Sequence, residues 1–256
     1  MSRLALVPVL AACFVTACAG RAPPERSNEA NGSDPGGEMS TAAPTGLRPA
    51  PTSPSTLAPT APEGGAFGFD VQPLQQAARA LMIGRAWRPG CPVPLDDLRS
   101  VRLTHWGFDG GLHEGTLVIH ADAVPVVRGV FAELHAARWP IRQIRPIEYY
   151  GGDDEASMDA DNTSAFNCRP STGSTSRWSE HAYGRAVDIN PQENPYVTST
   201  GVEPKAGEAF VDRTRAQPGV IDSDSVVVSA FERRGWGWGG RWSSSKDYQH
   251  FSSNSR

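Results

Sequence analysis

The sequence lacks the features by which membrane-spanning and nucleic-acid-binding proteins are recognised. The apolar stretch from Leu4 to Val15 is too short to cross a bilayer comfortably. The formal net charge is -4 and both signs are spread along the chain, with no basic run and no acidic tail. We therefore expect no nucleic-acid partner and no strongly charged protein partner.

Large apolar side chains are also scarce for a chain of this length. Hydrophobic residues make up 39% of the 256 residues, while Gly and Pro number 26 and 22. Residues 19–66 consist mainly of Ala, Pro, Ser, Thr, Gly and Asn, so burial could not offset the entropy lost on ordering them. We predict a disordered, semi-extended tether over 19–66 and one folded domain over 67–256.

The beginning of the chain, "MSRLALVPVLAACFVTACAG", combines Arg3 with a short apolar stretch and predicts an export signal over 1–18. Its end, "VTAC", resembles the lipobox of bacterial lipoproteins, in which Cys18 would be diacylated and become the first mature residue. We expect an extracytoplasmic protein that its lipid holds at the membrane. The alternative is a secreted protein, cleaved by an ordinary signal peptidase near "TACAG".

Cysteine is rare, with four residues in the whole chain. Cys13 would leave with the signal and Cys18 would carry lipid, so Cys91 and Cys168 remain. In an oxidising compartment these two could form one disulfide, or they could be buried free thiols. The sequence leaves both possibilities open.

The first half of the folded region shows helical and strand periodicities. Apolar residues at helical spacing predict a helix over 71–87. Segments 100–108 and 114–120 flank the turn signal "DGG" and predict a hairpin. A second helix is predicted over 122–139, with Asp122 as its N-cap. Residues 141–150 alternate and predict a strand.

The second half has shorter signals. The polar segment 151–162 is predicted to be a loop, which either binds a cation such as calcium or is simply solvated. Residues 163–169 and 184–190 predict short strands, and 223–235 predict a helix that Asp222 or Ser223 caps and Gly235 ends. Strands and helices mix without regular alternation, which favours an α+β fold with a largely antiparallel sheet.

Two short stretches carry the residues that indicate chemistry. "SEHAYGRAVDIN" (179–190) contains His181 and Asp188, and "DYQHF" (247–251) contains Asp247 and His250. Two imidazoles and one carboxylate are a ligand set that zinc accepts, with a fourth position open to water. Asp247 is then the candidate base for that water. Taken separately, each stretch is more often structural.

Together the stretches resemble a known family. "SEHAYGRAVDIN" is similar to the S-x-H-x-x-G-x-A-x-D signature of D-Ala-D-Ala carboxypeptidase-like zinc peptidases, and "DYQHF" is similar to the family's acid three residues before its last zinc histidine. The family includes vancomycin-resistance carboxypeptidases and dipeptidases and L-alanyl-D-glutamate endolysins, and Hedgehog domains share its fold. The likeness extends over roughly 80–251. It implies an α+β Hedgehog/DD-peptidase-like fold.

The resemblance also implies roles for individual residues. It places His181, Asp188 and His250 at the zinc positions and Asp247 at the acid/base position, where many members have Glu. The family's arginine near the substrate corresponds to Arg169 as first choice and Arg177 as second, although the usual "GYRS" context is absent. Substrate contacts are further expected from Ser179 and Trp238. Trp236, Trp238 and Trp242 could line the cleft. The alternative, for at least one of the three, is packing in the core.

The implied function is zinc-dependent hydrolysis of an amide bond in peptidoglycan stem peptides by a monomeric enzyme. The bond is either the D,D-linked terminal bond of a carboxypeptidase substrate or an L-Ala-D-Glu-type bond. The alternative is a non-catalytic, zinc-stabilised binding module of the same fold, as in the Hedgehog branch.

Overall fold

The computed structural model of the protein describes residues 65–255. The predicted signal over 1–18, the lipidated Cys18 and nearly all of the predicted tether over 19–66 lie outside these residues. Within the described part of the chain, no helix has the length and apolar character needed to cross a membrane.

An antiparallel sheet opens the domain, with strands β1 (Phe69–Pro73), β2 (Leu98–Trp106) and β3 (Leu112–His120) in that order. The β2–β3 pair is the hairpin that the sequence predicts. The helix predicted from residue 71 is wrong at its start, because Val71 pairs with Val101 in the sheet. That helix, α1, is limited to Gln76–Met82.

Helix α2 (Val124–Ala136) packs on this sheet, as its apolar face predicts. Val127, Val130, Phe131 and Leu134 are all buried there. Asp122 is not the N-cap. It lies in a 3-10 turn before the helix, where its carboxylate pairs with the Arg185 guanidinium at 2.7 Å.

Residues 141–169 differ most from the sequence-based prediction. The strand predicted over 141–150 is reduced to β4 (Gln143–Ile144), which pairs in parallel with β5 (Asn162–Thr163). Pro146 has no N–H to continue a ladder, and the chain turns after it. The segment predicted to be a loop contains the short helix α3 (Asp154–Asp159), whose N-cap Asp153 accepts from the amide of Ala156.

Two small antiparallel sheets form the rest of the fold. One contains β6 (Ala186–Asp188), β9 (Gly237–Trp238) and β11 (His250–Ser252), with β11 in the centre. The other contains β7 (Tyr196–Val197), β8 (Val202–Glu203) and β10 (Lys246–Asp247), with β7 in the centre. β10 and β11 follow each other closely in the chain, so the two sheets adjoin where "DYQHF" passes from one to the other.

The core is built around helix α4 (Val226–Glu232) and strand β11. Ser225, not Asp222 or Ser223, caps the helix by accepting from the amide of Val228. The rings of Phe231 and Phe251 stack at 4.2 Å, and both side chains are fully buried. Cys91 and Cys168 form a disulfide, which decides between the two possibilities that the sequence leaves open.

Candidate metal centre and cleft

His181 is placed by a tight turn at the entrance to β6. Ser179 caps the 3-10 turn Glu180–Tyr183, and its hydroxyl accepts from the amide of His181. Gly184 ends the turn with a φ of +65°, and a Cβ there would lie 2.6 Å from the amide nitrogen of His120. Only glycine fits this combination of left-handed backbone and close approach. The turn therefore fixes where the following strand begins.

Asp188 and His250 face each other across a strand pair. They are directly opposed in the antiparallel register of β6 and β11. Such opposed residues have Cβ atoms about 5 Å apart. Two residues that are 62 positions apart in the chain are thus held as neighbours by the backbone ladder.

The donor atoms of the three residues converge on one point. The His181 Nε2 atom lies 3.0 Å from an Asp188 carboxylate oxygen and 3.2 Å from the His250 Nδ1 atom. The His250 Nδ1 atom lies 2.9 Å from the other Asp188 oxygen. All three side chains are buried, and among the described residues they form the one group of His, Cys, Asp and Glu side chains that could hold a metal ion.

The donor set fits zinc. The Nδ1 atom of His181 is hydrogen-bonded to the carbonyl of Ala165, which leaves Nε2 as the lone-pair nitrogen that faces the cluster. Two imidazole nitrogens and a carboxylate at these separations match the donors of a catalytic zinc site with one position left open. Burial raises the pKa of Asp188, but the neighbouring imidazoles His181 and His250 outweigh burial and hold the pKa far below its usual range. The carboxylate is therefore ionised, as a ligand must be.

Asp247 lies beside this cluster on β10, opposite Tyr196 of β7. Gly239 allows the backbone to approach, since a Cβ there would lie 2.8 Å from the Cβ of Asp247. The Oδ1 atom of Asp247 is buried and has no hydrogen-bond partner. Burial raises the pKa of Asp247 to about 7, and the charge on Asp188 adds to this rise while His250 opposes it.

A cavity of about 650 Å³ gives access to the cluster. The predicted site residues Arg169, Arg177, Ser179, His181, Asp247 and His250 all line it. Arg177 is exposed on a loop rich in Ser and Thr, whereas Arg169 is partly buried. The structure therefore brings both candidate arginines to the same opening.

Trp238 does not take the position that we predicted for it. Its side chain is 6% exposed and packs in the main hydrophobic cluster, where its ring faces those of Phe251 and Tyr248. Trp242, four residues later, lines the cavity and contacts the His250 ring. Core packing thus applies to Trp238 and also to Trp236.

Sequence reasoning missed one residue at the site. Asp154 forms an ion pair of 2.6 Å with Arg169, within the acidic segment that we expected to bind a cation or to be solvated. No motif marks this residue, and 15 positions separate it from the arginine. The structure alone reveals the pairing.

These features define a class of protein. A buried His–Asp–His cluster, beside a carboxyl group and at the floor of an open cavity, is the arrangement of a metallopeptidase. Residues 172–253, which include His181, Asp188 and His250, match the family model described as D-alanyl-D-alanine carboxypeptidase. Neither a curated protein nor a solved structure matches the chain. Asp154 and Arg169 precede the matched residues.

Proposed function

We propose that the protein hydrolyses an amide bond in peptidoglycan stem peptides with zinc held by His181, Asp188 and His250. The single observation that carries this proposal is the unpartnered Oδ1 atom of Asp247 beside the three donors, in an open cavity. The fold proposed for the domain is of the Hedgehog/DD-peptidase type. The cavity beside Asp247 favours the enzyme over a non-catalytic binding module, in which the metal would be blocked.

Bound zinc would act as a Lewis acid toward the scissile carbonyl and bring the pKa of a bound water toward about 7. Asp247 accepts the proton of the attacking water and then delivers it to the leaving amine. This role requires a carboxyl group that changes its protonation state during each turnover. The unpartnered Oδ1 atom is suited to it, because no internal hydrogen bond must be broken first.

The remaining residues orient the substrate and the ligands. Arg169 supplies positive charge to a substrate carboxylate or to the developing oxyanion. Arg177, exposed at the edge of the cavity, and Ser179 are proposed further contacts. The hydrogen bond from His181 to the Ala165 carbonyl holds the imidazole in the orientation that a ligand needs.

The site can be tested with purified protein and peptidoglycan fragments. We expect cleavage of a D,D-linked terminal bond or an L-Ala-D-Glu-type bond with zinc present, and loss of cleavage after chelation that zinc restores. Mass spectrometry of the products identifies the bond. A zinc-loaded protein that cleaves no D,D- or L,D-linked stem peptide would reject hydrolysis and favour the binding module.

We further propose that the protein is a monomer. We also propose that it is exported and that a lipid on Cys18 anchors it at the membrane, with residues 19–66 linking the anchor to the catalytic domain. The support is the sequence pattern at the beginning of the chain. Mass spectrometry of the mature N-terminus, compared with that of a Cys18→Ala variant, tests the anchor. Release of an unmodified wild-type protein into the medium would favour secretion instead.

A further inference from the structure

Arg169 has a fixed backbone but a long side chain. The amide of Cys168 donates to the carbonyl of Ala86 at 2.9 Å, and the carbonyl of Arg169 accepts from the amide of Ser179 at 3.1 Å. The disulfide from Cys168 to Cys91 adds a covalent link next to it. None of these contacts determines where the guanidinium points, and a free arginine side chain loses about 2 kcal/mol of rotamer entropy when it is ordered.

Asp154 orders that side chain. Its Oδ2 atom lies 2.6 Å from the Nη2 atom of Arg169, and both side chains are about three-quarters buried. The Nη1 atom of Arg169 donates to the carbonyl of Pro170 at 3.3 Å. Asp154 thus holds one edge of the guanidinium, while Arg169 itself lines the cavity.

Asp154 is itself well anchored. It is the first residue of α3, whose N-cap is Asp153. Its Oδ1 atom accepts from the side-chain amide of Asn167 at 3.4 Å, and the backbone amide of Asn167 donates to the carbonyl of His181 at 3.1 Å. A chain of contacts therefore runs from the segment that carries the zinc ligand His181, through Asn167 and Asp154, to the arginine.

We propose that Asp154 is a positioning residue that holds the Arg169 guanidinium at the cavity, ready to receive a substrate carboxylate. This inference rests on the proposed function. An ion pair with a merely structural role would support the stability of the fold and would have no influence on which substrate binds. A positioning role predicts the opposite: substrate discrimination changes and stability does not.

The test compares the full-chain variant Asp154→Asn with the matched control Glu155→Gln, whose exposed side chain neighbours Asp154 on the same helix. Two peptides are used: the stem peptide that the wild type cleaves, and the same peptide with the carboxylate nearest the scissile bond converted to an amide. For the Asp154→Asn variant we expect KM for the first peptide to rise about tenfold, since a charge-assisted contact is lost. We expect little change for the amidated peptide, and no change for the control.

A second variant shows whether Asp154 acts through Arg169. In an Arg169→Ala background, Asp154→Asn should add no further effect, because the side chain that it positions is gone. An Asp154→Glu variant should restore part of the discrimination. Equal losses on both peptides, together with a lowered melting temperature, would assign Asp154 a structural role and overturn the proposal.

Binding provides a readout that needs no turnover. In an Asp247→Ala background, calorimetry with a stem peptide that ends in D-Ala-D-Ala with a free carboxylate should show affinity about tenfold weaker with Asp154→Asn than without it. A wild type that cleaves nothing would reject the proposed function, and this arm would still test Asp154. Unchanged affinity, or no binding of the carboxylate peptide at all, would overturn the inference.

Discussion

His181 and Asp247 illustrate two ways in which a side chain at the cavity is prepared for chemistry. The imidazole has both nitrogens engaged, one with the Ala165 carbonyl and one with the metal-binding cluster. The carboxyl group of Asp247 has an oxygen without any partner. The first side chain is thus fixed in the orientation that a metal ligand needs, and the second remains able to bind and release a proton.

Substituting Asp247 should separate catalysis from metal binding. An Asp247→Asn variant keeps the shape of the side chain but cannot accept a proton, so kcat should fall by about 10²–10⁴-fold. Zinc content, measured by mass spectrometry of the metal, should remain at the wild-type level. The exposed Asp97→Asn serves as the control and should change neither quantity. Full activity of the Asp247 variant would rule out its role as the base.

A second carboxyl group has a raised pKa outside the metal centre. Burial raises the pKa of Glu193 to about 7, and the adjacent Asp161 carboxylate contributes, while Arg142 opposes the rise. The Arg142 guanidinium lies 3.3 Å from Asp161 and 3.5 Å from Glu193. The folded protein therefore holds a proton on Glu193 more tightly than the unfolded chain does.

The pH dependence of stability follows from this shift. The stabilisation that protonated Glu193 gives the folded state is fully present below its ordinary pKa of 4.5. It is lost as the pH rises through about 7. Glu193→Gln removes this titration, so the variant should not lose stability in this way. Between about pH 5 and pH 8, the unfolding free energy of the variant should therefore rise relative to that of the wild type by on the order of 2 kcal/mol. Urea unfolding across this range measures the gain. The exposed Glu114→Gln should follow the wild type at every pH.

At the scale of elements, long periodic segments could be predicted and short ones could not. The hairpin β2–β3 and helices α2 and α4 bury one regular face each, and that periodicity is visible in the sequence. The strands around the cleft contain two or three residues each, which is too few to show a period.

Residues 191–221 depend on contacts that no local pattern encodes. Arg213 donates to the carbonyls of Glu193 and Ile221 and lies over the Tyr248 ring at 4.5 Å. These partners are far apart in the sequence, so their contacts with Arg213 organise the segment only in the folded chain. The ion pair between Asp154 and Arg169 is a second contact that no local pattern encodes. It depends on the position of Asp154 as the first residue of α3.

The disulfide makes a separate contribution at this scale. It joins Cys91 and Cys168, which are 77 residues apart, and a cross-link over such a distance restricts the unfolded chain strongly. A Cys91→Ser/Cys168→Ser variant should lose about 4 kcal/mol of unfolding free energy. Urea denaturation of the variant and of the reduced wild type should give the same value. A loss below about 1 kcal/mol would contradict the expectation.

For the whole molecule, the chemistry of the site could be predicted more fully than its architecture. His181, Asp188, Asp247 and His250 stand in two short motifs with fixed spacing. The structure places His181, Asp247 and His250 at one cavity and buries Asp188 against the two imidazoles. The tryptophans could not be assigned from the sequence, because a 3-10 turn over Gly239–Arg241 separates Trp238 from Trp242. Trp238 faces the core as a result, and Trp242 faces the cavity.

Zinc should stabilise the whole domain, because its ligands are brought together only in the folded chain. At zinc concentrations about 100 times the dissociation constant, the gain is about 2.7 kcal/mol, or a rise in Tm of roughly 5–10 °C. A His250→Ala variant should lose this rise, whereas the exposed His113→Ala should keep it. A Tm that does not respond to zinc in the wild type would argue against the metal site.

The register between Asp188 and His250 has a consequence for how such a protein can diversify. Their separation is set by the spacing of paired strands and is independent of the number of residues between them. Doubling the length of a connecting segment costs only about 0.6 kcal/mol of closure entropy. The chain between these two residues can therefore lengthen, shorten or be exchanged, and reshape the wall of the cavity, while the ligands keep their geometry.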